Sequence, residues 1–243
     1  MTEKLNDCQF LDYLEDKTVA LVGPAASTKG SGNGAEIDTY DIVCRLNKHS
    51  ATQQKYAADI GTRSNVLFTT PNTFKYNKKA GYRVFDMETI KNLNIDWCVS
   101  TLPIEHTSRK HYEKGAYITK NLQMQIEGAG IKFQAVPLEF RKNLHAKVRV
   151  PSTGLSAIVY LLTAKIKKLK VFGMDFYATK MPYMEDYKPA IGNISRKEIM
   201  EKLRKNNTHN PCAEFLYFAG ITDERLERDA ILERIISGIS PNG

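Results

Sequence analysis

The sequence predicts an α/β fold in which a mostly parallel, Rossmann-like sheet carries helices on both faces. Short apolar segments of about five residues alternate with stretches of helical pattern, which is typical of buried parallel strands joined by helices. A glycine-rich loop directly follows the first apolar segment. The 243 residues contain no Pro/Gly/Ser linker, internal repeat or abrupt change of charge, so we predict a single domain over residues 1–243.

The predicted elements alternate in chain order. Strands are expected at about 18–22, 41–46, 65–69, 96–100, 133–137 and 170–174. Helices are expected near 7–15, 118–129, 154–166, 194–206 and 222–237. Gly23, Asn47 and the turn at 173–175 each fall at the end of a predicted strand. Because ligands of such sheets bind beyond the carboxyl ends of the strands, these residues predict a binding site at one edge of the sheet.

The loop after the first strand is built from residues that let a backbone approach a ligand closely. Gly23 is followed by the small residues Pro24, Ala25, Ala26 and Ser27. Gly30, Gly32 and Gly34 then permit turns with positive φ that other residues resist. An ordinary surface turn has a similar composition, so the loop alone does not separate a nucleotide site from a plain turn.

The continuation of this loop carries a longer pattern. From Gly23 to Asn47 it runs G-x(10)-G-A-E-I-D-x-x-D-I-V-x-R-x-N, and Asp59-Ile-Gly-Thr-Arg-Ser64 follows. This arrangement resembles the long sialyl motif of the eukaryotic-type sialyltransferases, which has the same elements in the same order.

Two further segments resemble motifs of that family. Pro151-Ser-Thr-Gly154, followed by a predicted helix and the strand Lys170-Val-Phe-Gly-Met174, is similar to the short sialyl motif. His209-Asn-Pro-Cys-Ala-Glu214 has the H-x(4)-E spacing of the very short motif. The resemblance therefore covers roughly residues 17–218.

The resemblance implies a single-domain, GT-A-like sialyltransferase fold and inverting transfer of a sugar from a CMP-activated donor to an acceptor hydroxyl. It implies His209 as the general base, with Glu214 shaping the site one turn away; histidine suits this role because it titrates near neutral pH. Ser152 or Thr153 can cap the following helix, whose first N–H groups can hold a phosphate. The residues expected to bind the donor are Gly23, Pro24, Ala25, Ser27, Asn47, Ser152, Thr153, Gly154 and Tyr183.

The sequence departs from the family at its third motif. The corresponding stretch is Met181-Pro-Tyr-Met-Glu185, with Pro182 where the family has a histidine poised to steady the departing phosphate. Proline has no side-chain donor, so another group has to stabilise the leaving phosphate. The candidates are Tyr183, Lys180 and Lys188.

Two more features bear on the donor. Pro24 and Ala25 replace an asparagine and a serine that are common in the family, which leaves cytidine recognition to backbone groups, Ser27 and Asn47. The chain has no Asp-x-Asp pair, the usual carboxylate cradle for a metal-bound nucleotide sugar. We therefore expect metal-independent transfer without a cofactor other than the donor itself.

The net charge and the cysteines indicate which class of partner and which cellular compartment to expect. The chain has 35 basic and 27 acidic side chains, and the net charge of +8 favours an anionic partner such as a nucleotide sugar, an anionic glycan or nucleic acid. No segment reaches the roughly 20 apolar residues that cross a bilayer, so a soluble, cytoplasmic protein without a membrane partner is expected. Val19 and Ile166 occupy the positions of the family's disulfide cysteines, which fits reduced thiols.

Three functions from different classes are open at this point. The first is a sialyltransferase-like enzyme acting on a glycan. The second is a viral or phage glycosyltransferase that adds a sugar to hydroxymethylated bases in DNA. The third is a catalytically weak homologue that binds the nucleotide, which Pro182 suggests and the intact His209 and Glu214 oppose.

Overall fold

The computed structural model describes residues 9–47, 55–70, 75–77, 82–84, 94–104, 113–178, 201 and 210–238. Within them, strands β1 to β9 span Thr18–Val22, Ile42–Leu46, Val66–Thr69, Lys75–Asn77, Tyr82–Val84, Trp97–Ser100, Lys132–Ala135, Lys168–Phe172 and Leu226–Arg228. Helices α1 to α7 span Gly34–Ile37, Ala57–Ile60, Glu113–Gly128, Leu138–Lys147, Thr153–Leu161, Pro211–Ala219 and Ala230–Ser237. A helical turn at residues 9–13 precedes β1, and a short 3-10 helix spans Ala26–Thr28.

Seven of these strands form one parallel sheet in the order β7-β6-β3-β2-β1-β8-β9, while β4 and β5 pair as a separate antiparallel hairpin. The chain builds outward from β1 to β7 and then returns to place β8 on the other side of β1. The strand order thus reverses between β1 and β8, the position at which sheets of this kind bind ligands. Val22 is in register with Arg45 of β2 and Phe172 of β8, so the three strands end at nearly the same level.

Alternate residues of the strands face two apolar layers. On one face, Leu21 and Phe68 belong to the main core cluster, which includes residues from the turn at 9–13 and from α5, α6 and α7. On the opposite face, a second cluster joins Val22 to α1 and α2, and a third joins Cys98 to α3. Burial of apolar surface on both faces explains why the strands lack a polar side, and it confirms the predicted α/β class.

The six predicted strands are confirmed, with ends that shift by at most two residues. The helix predicted at 222–237 is wrong over its first half, because β9 pairs there with β8 and α7 begins only at Ala230. The central residue of β9 is charged and lies exposed at the edge of the sheet, so this three-residue strand shows no apolar pattern in the sequence. Helices α1, α2, α4 and α6 and the hairpin strands β4 and β5 are not among the predicted elements. The helix predicted near 194–206 lies outside the described residues, apart from residue 201.

The positions relevant to compartment lie in the core. Val19 and Ile166 are both buried in the main cluster. Cys44 and Cys98 are fully buried, and burial raises the pKa of both thiols, so they act as small core hydrophobes. Across the described ranges, none of the helices combines the length and apolar character that a membrane span requires.

Candidate functional site

The loops that follow β1 and β8 meet at the carboxyl edge of the sheet. The N–H of Gly23 donates to the carbonyl of Phe172 at 2.8 Å, and the N–H of Ala25 donates to the carbonyl of Gly173 at 3.0 Å. A Cβ on Gly23 would overlap Gly173 O and Met174 Cγ. The close approach that requires glycine at position 23 is therefore made to the neighbouring loop, at the point where the strand order reverses.

The side chain of Met174 connects this loop pair to helix α5. A Cβ on Gly154 would overlap Met174 Cε and would lie 3.4 Å from Leu46 Cδ1. Met174 thus lies between Gly23, after β1, and Gly154, in the first turn of α5. Leu46 is the last residue of β2, so the ends of β1, β2 and β8 and the start of α5 come together as predicted.

Asn47 follows β2 directly and is half-buried at this edge. Its backbone has φ 52, a left-handed conformation that asparagine tolerates better than most residues. Its N–H donates to the carbonyl of Phe68 at 2.8 Å, and its Oδ1 accepts from the Thr69 hydroxyl at 3.4 Å. The end of β3 therefore orients the amide that the sequence assigns to nucleotide recognition.

The Pro-Ser-Thr-Gly segment forms the start of α5, with Ser152 as its N-cap. The Ser152 hydroxyl accepts a hydrogen bond from the N–H of Leu155 at 3.2 Å and also bonds to Glu214 Oε2. The N–H of Ser152 donates to Glu214 Oε1 at 3.0 Å. The N–H and hydroxyl of Ser152 therefore bond to other groups of the protein. A phosphate is better suited to the first-turn N–H groups of Thr153 and Gly154, which have no acceptor within the helix.

Glu214 lies in the first turn of α6 and is only 2% exposed. Burial raises its pKa to about 7, against the hydrogen bonds from Ser152 and the charge of Arg141, which lower it. Arg141 in turn donates to Ser156 Oγ at 3.1 Å and to the Pro151 carbonyl at 3.4 Å. The Glu214 carboxyl is thus an internal link between two motifs, which suits the predicted role of shaping the site.

Two predicted site residues, His209 and Tyr183, lie outside the described residues, as do Lys180, Lys188 and the whole stretch 181–185. The chain neighbour of His209 is described: Asn210 is the N-cap of α6, and its side-chain oxygen accepts from the N–H of Ala213 at 3.1 Å. Helix α6 therefore begins at Pro211, two residues after the predicted base.

The glycines of the first loop divide into two roles. Gly30 and Gly32 have φ 77 and 68, as predicted. The prediction of a positive φ at Gly34 is wrong, because Gly34 lies in helix α1. A Cβ there would overlap the carbonyl oxygen of Ala57, so glycine is needed for the packing of α1 against α2. The N–H of Gly32 donates to Asp59 Oδ1 at 3.0 Å, which ties the loop to α2.

The second half of the long motif forms a hydrogen-bonded cluster at the amino-terminal ends of β2 and β3, which we call the brace. Its members are Asp38, Tyr40, Thr62 and Arg63. Asp38 accepts from the N–H groups of Thr62 at 2.9 Å and Arg63 at 3.0 Å. Burial opposes the charge of this carboxylate, but these bonds outweigh it and lower its pKa. Arg63 also donates to the carbonyl of Tyr40 at 2.5 Å. Because these residues precede β2 and β3, they hold the strands in place from the amino-terminal side.

Arg45, the arginine of the R-x-N element, is fully buried in β2. Its Nη2 donates to the carbonyl of Arg63 at 2.8 Å, and its Nε donates to Ser64 Oγ at 3.2 Å. Burial lowers its pKa to about 10, while the charge of Asp38 raises it. Arg45 therefore belongs to the brace, and Asn47 is the residue of the element that lies at the binding edge.

Sequence reasoning placed the turn at 173–175 at the binding edge, but it missed Asp229 and the contacts that Met174 makes there. Asp229 accepts from the N–H of Gly173 at 2.8 Å and caps α7. An aspartate directly before an apolar helix is a recognisable N-cap signal, but the prediction of one long helix over 222–237 hid it. No local signal indicates that Met174 contacts Gly23 and Gly154.

Comparison with known proteins gives a match over most of the chain. The model of the family described as Glycosyltransferase family 29 (sialyltransferase) matches residues 8–225. The match includes the long, short and very short motifs and ends just before β9.

Individual relatives are distant. The chain is 26% identical over 145 residues to CMP-N-acetylneuraminate-beta-galactosamide-alpha-2,3-sialyltransferase 1 of Sus scrofa, covering 59% of this chain and 40% of the relative. It is 25% identical over 244 residues to Type 2 lactosamine alpha-2,3-sialyltransferase of Mus musculus, covering 92% of this chain and 68% of the relative. The first of these alignments spans about two fifths of the relative's length. A crystal structure of a mammalian sialyltransferase in complex with Gal-beta-1-3GalNAc-ortho-nitrophenol aligns with TM-score 0.44 and 17% identity over 83% of this chain and 76% of that one.

Proposed function

The chain belongs to glycosyltransferase family 29, the sialyltransferase family, and from this premise we propose that it transfers sialic acid, or a related acidic sugar, from a CMP-activated donor to a glycan hydroxyl. The names of the pig and mouse relatives, both sialyltransferases, support this substrate class. The net charge of +8 suits an anionic donor.

The observation that carries the proposal is the meeting of three motif segments at one edge. Gly23, Asn47 and Gly154 come from distant parts of the sequence. Gly23 and Gly154 both lie against Met174, and Asn47 directly follows Leu46, which lies near Gly154. Family motifs that served only folding would not need to gather at the carboxyl end, where parallel sheets bind ligands. In this arrangement the first-turn N–H groups of α5 hold the phosphate, and Asn47 is the residue that we assign to the cytidine.

The proposed mechanism is displacement of CMP by the acceptor hydroxyl with inversion. His209 takes the proton from that hydroxyl as it attacks, and the electron pair of the broken sugar–phosphate bond leaves with CMP. Glu214 bonds to Ser152 and so fixes the start of α6, next to His209, relative to the phosphate-binding turn of α5. A side chain from the third-motif region, Tyr183 or a nearby lysine, stabilises the departing phosphate.

Two further properties belong to the proposal. The lack of an Asp-x-Asp pair supports transfer without a divalent metal, so an excess of chelator should leave the rate unchanged. Apolar Val19 and Ile166 at the disulfide positions, both in the core, support a reducing compartment such as the cytoplasm. Family membership gives no support to a DNA acceptor, so the glycan is the acceptor that we propose.

A thermal-shift panel of CMP, CDP, UMP, UDP and GDP tests the donor class. A ligand that binds only the folded protein raises its stability by RT ln(1 + [L]/Kd), which is about 2.7 kcal/mol at a hundredfold excess over Kd. We expect CMP and CDP to raise the melting temperature and the uridine and guanosine nucleotides to leave it unchanged. Stabilisation by UDP or GDP alone would contradict a CMP-linked donor.

A further inference from the structure

We infer that Asp229 is a positioning residue that holds the Gly173–Met174 turn of the donor site in place. Asp229 lies beyond residues 8–225, the part of the chain that the family model matches. The inference rests on the proposed function, because it assigns a role in donor binding to a residue outside the sialyl motifs.

The Asp229 carboxylate divides its two oxygens between two elements. Oδ1 accepts from the N–H groups of Ile231 at 3.1 Å and Leu232 at 2.8 Å, which caps α7. Oδ2 accepts from the N–H of Gly173 at 2.8 Å. The residue is 3% exposed, so water does not compete for these bonds.

The outermost strand of the sheet, β9, places Asp229 next to the turn after β8. Strand β9 pairs in parallel with β8, with Arg228 in register with Val171, and the N–H of Asp229 donates to the Val171 carbonyl at 3.0 Å. Leu232 of α7 is buried in the main core cluster. Strand β9, which precedes Asp229, is therefore hydrogen-bonded to the sheet, and helix α7, which follows it, is packed in the core.

Gly173 has little freedom to move without disturbing the donor segments. Its φ is 63, and a Cβ there would lie 2.5 Å from Thr28 Cγ2 and 2.8 Å from Gly23 O. The next residue, Met174, fills the space between Gly23 and Gly154. In a region packed this closely, a displaced Gly173 shifts the loop after β1 and the first turn of α5 together. Small displacements of binding groups have large effects on ligand geometry.

Asp229→Asn separates the bond to Gly173 from the helix cap. Asparagine caps helices as well as aspartate does, so its oxygen can keep the bonds to Ile231 and Leu232. Its NH2 group then faces the N–H of Gly173, where two donors cannot bond. We expect the Kd for CMP and the KM for the CMP-sugar to rise about tenfold or more, with kcat at saturating donor nearly unchanged. Amide hydrogen exchange should accelerate in residues 172–178 and stay slow in α7.

Two control variants separate positioning from a general loss of stability. Glu233→Gln changes an exposed charge on the same helix, and Leu122→Ala opens a cavity in the separate cluster under α3. Both should keep the wild-type Kd for CMP, although Leu122→Ala lowers the melting temperature. A role in folding alone would weaken the apparent Kd for CMP in both destabilised variants alike, because only the folded fraction binds the ligand.

The outcomes distinguish this inference from the proposed function. Wild-type affinity for CMP in Asp229→Asn, or unchanged exchange in residues 172–178, would overturn the positioning role while leaving the function in place. A tenfold weaker Kd in Leu122→Ala as well would assign the effect to stability and overturn the role. Failure of wild-type protein to bind CMP would contradict the proposed function and, with it, the inference that rests on it.

Discussion

Glu214 accepts hydrogen bonds from both the backbone N–H and the hydroxyl of Ser152, which joins two motifs that lie 62 residues apart in the chain. The helix that begins two residues after His209 is therefore bonded directly to the helix whose first turn is suited to a phosphate. Because both the N–H and the hydroxyl of Ser152 take part, a change at either residue should disturb the other, and the link can be measured as a coupling free energy between the two residues.

The first prediction is that Glu214 makes the unfolding free energy depend on pH. Burial raises its pKa from 4.5 to about 7, so the folded protein favours the protonated carboxyl. A group of this kind stabilises the fold fully below about pH 4.5, and its contribution is lost as the pH rises to about 7. The shift corresponds to a change on the order of 3 kcal/mol. Denaturant unfolding at a series of pH values should show this loss, and Glu214→Gln should flatten it.

The matched control is Glu139→Gln, which changes an exposed glutamate on α4 and should keep the wild-type slope. Ser152→Ala and Glu214→Gln should also be non-additive, with a coupling free energy of about 0.5–3 kcal/mol. A Glu214→Gln variant with the wild-type pH slope would contradict the raised pKa of Glu214, and strictly additive variants would contradict the link between Glu214 and Ser152.

The second prediction concerns the space that Met174 occupies. Gly154→Ala places a methyl group where Met174 Cε lies, so it should weaken CMP binding and lower the melting temperature. Shortening the methionine makes room, so the double variant Gly154→Ala/Met174→Ala should regain part of the lost affinity. Isothermal titration with CMP measures both.

Gly128→Ala is the control for this pair. It lies at the end of α3 with nothing near a Cβ, and alanine there should be neutral or stabilising by up to about 1 kcal/mol. If Gly154→Ala binds CMP like the wild type, Met174 does not fill the space between the loop and α5 as described.

The third prediction concerns the general base. His209→Ala should bind CMP with nearly wild-type affinity while turnover falls by about 10²–10⁴-fold, because the base acts on the acceptor hydroxyl and not on the donor. Wild-type turnover should fall as the pH drops below the ordinary histidine pKa of about 6.5. Glu214→Gln should reduce turnover less than His209→Ala does. Steady-state kinetics over about pH 5–9 measure the turnover of the wild type and both variants and the pH dependence of that turnover.

His145→Ala supplies the comparison, since His145 is exposed on α4 and has no assigned role. It should keep both turnover and its pH profile. Wild-type turnover by His209→Ala would remove the general base from the mechanism.

The sequence allowed prediction of six of the nine described strands and of the edge at which the motifs gather, because apolar periodicity and strand ends are local signals. Asn47 follows from that reasoning, and Ser152 follows from its place directly before a predicted helix. The contacts of Met174 and the role of Asp229 could not be predicted, since both depend on contacts between distant segments, such as the bond from Gly173 to Asp229 across 56 residues. Strand β9 was missed because three residues at a sheet edge carry too little apolar pattern to separate them from the helix that follows.

The most direct test of the central claim is a transfer assay with CMP-N-acetylneuraminate as the donor. Wild-type protein is incubated with galactose-terminated glycans in one arm and with hydroxymethylated DNA in another, with His209→Ala as the matched control. Released CMP and the mass of the product are measured together. We predict that CMP is released and one acidic sugar is added to the glycan only, and that His209→Ala loses this product. Transfer to DNA alone, or release of CMP without a glycosylated product in either arm, would contradict the account.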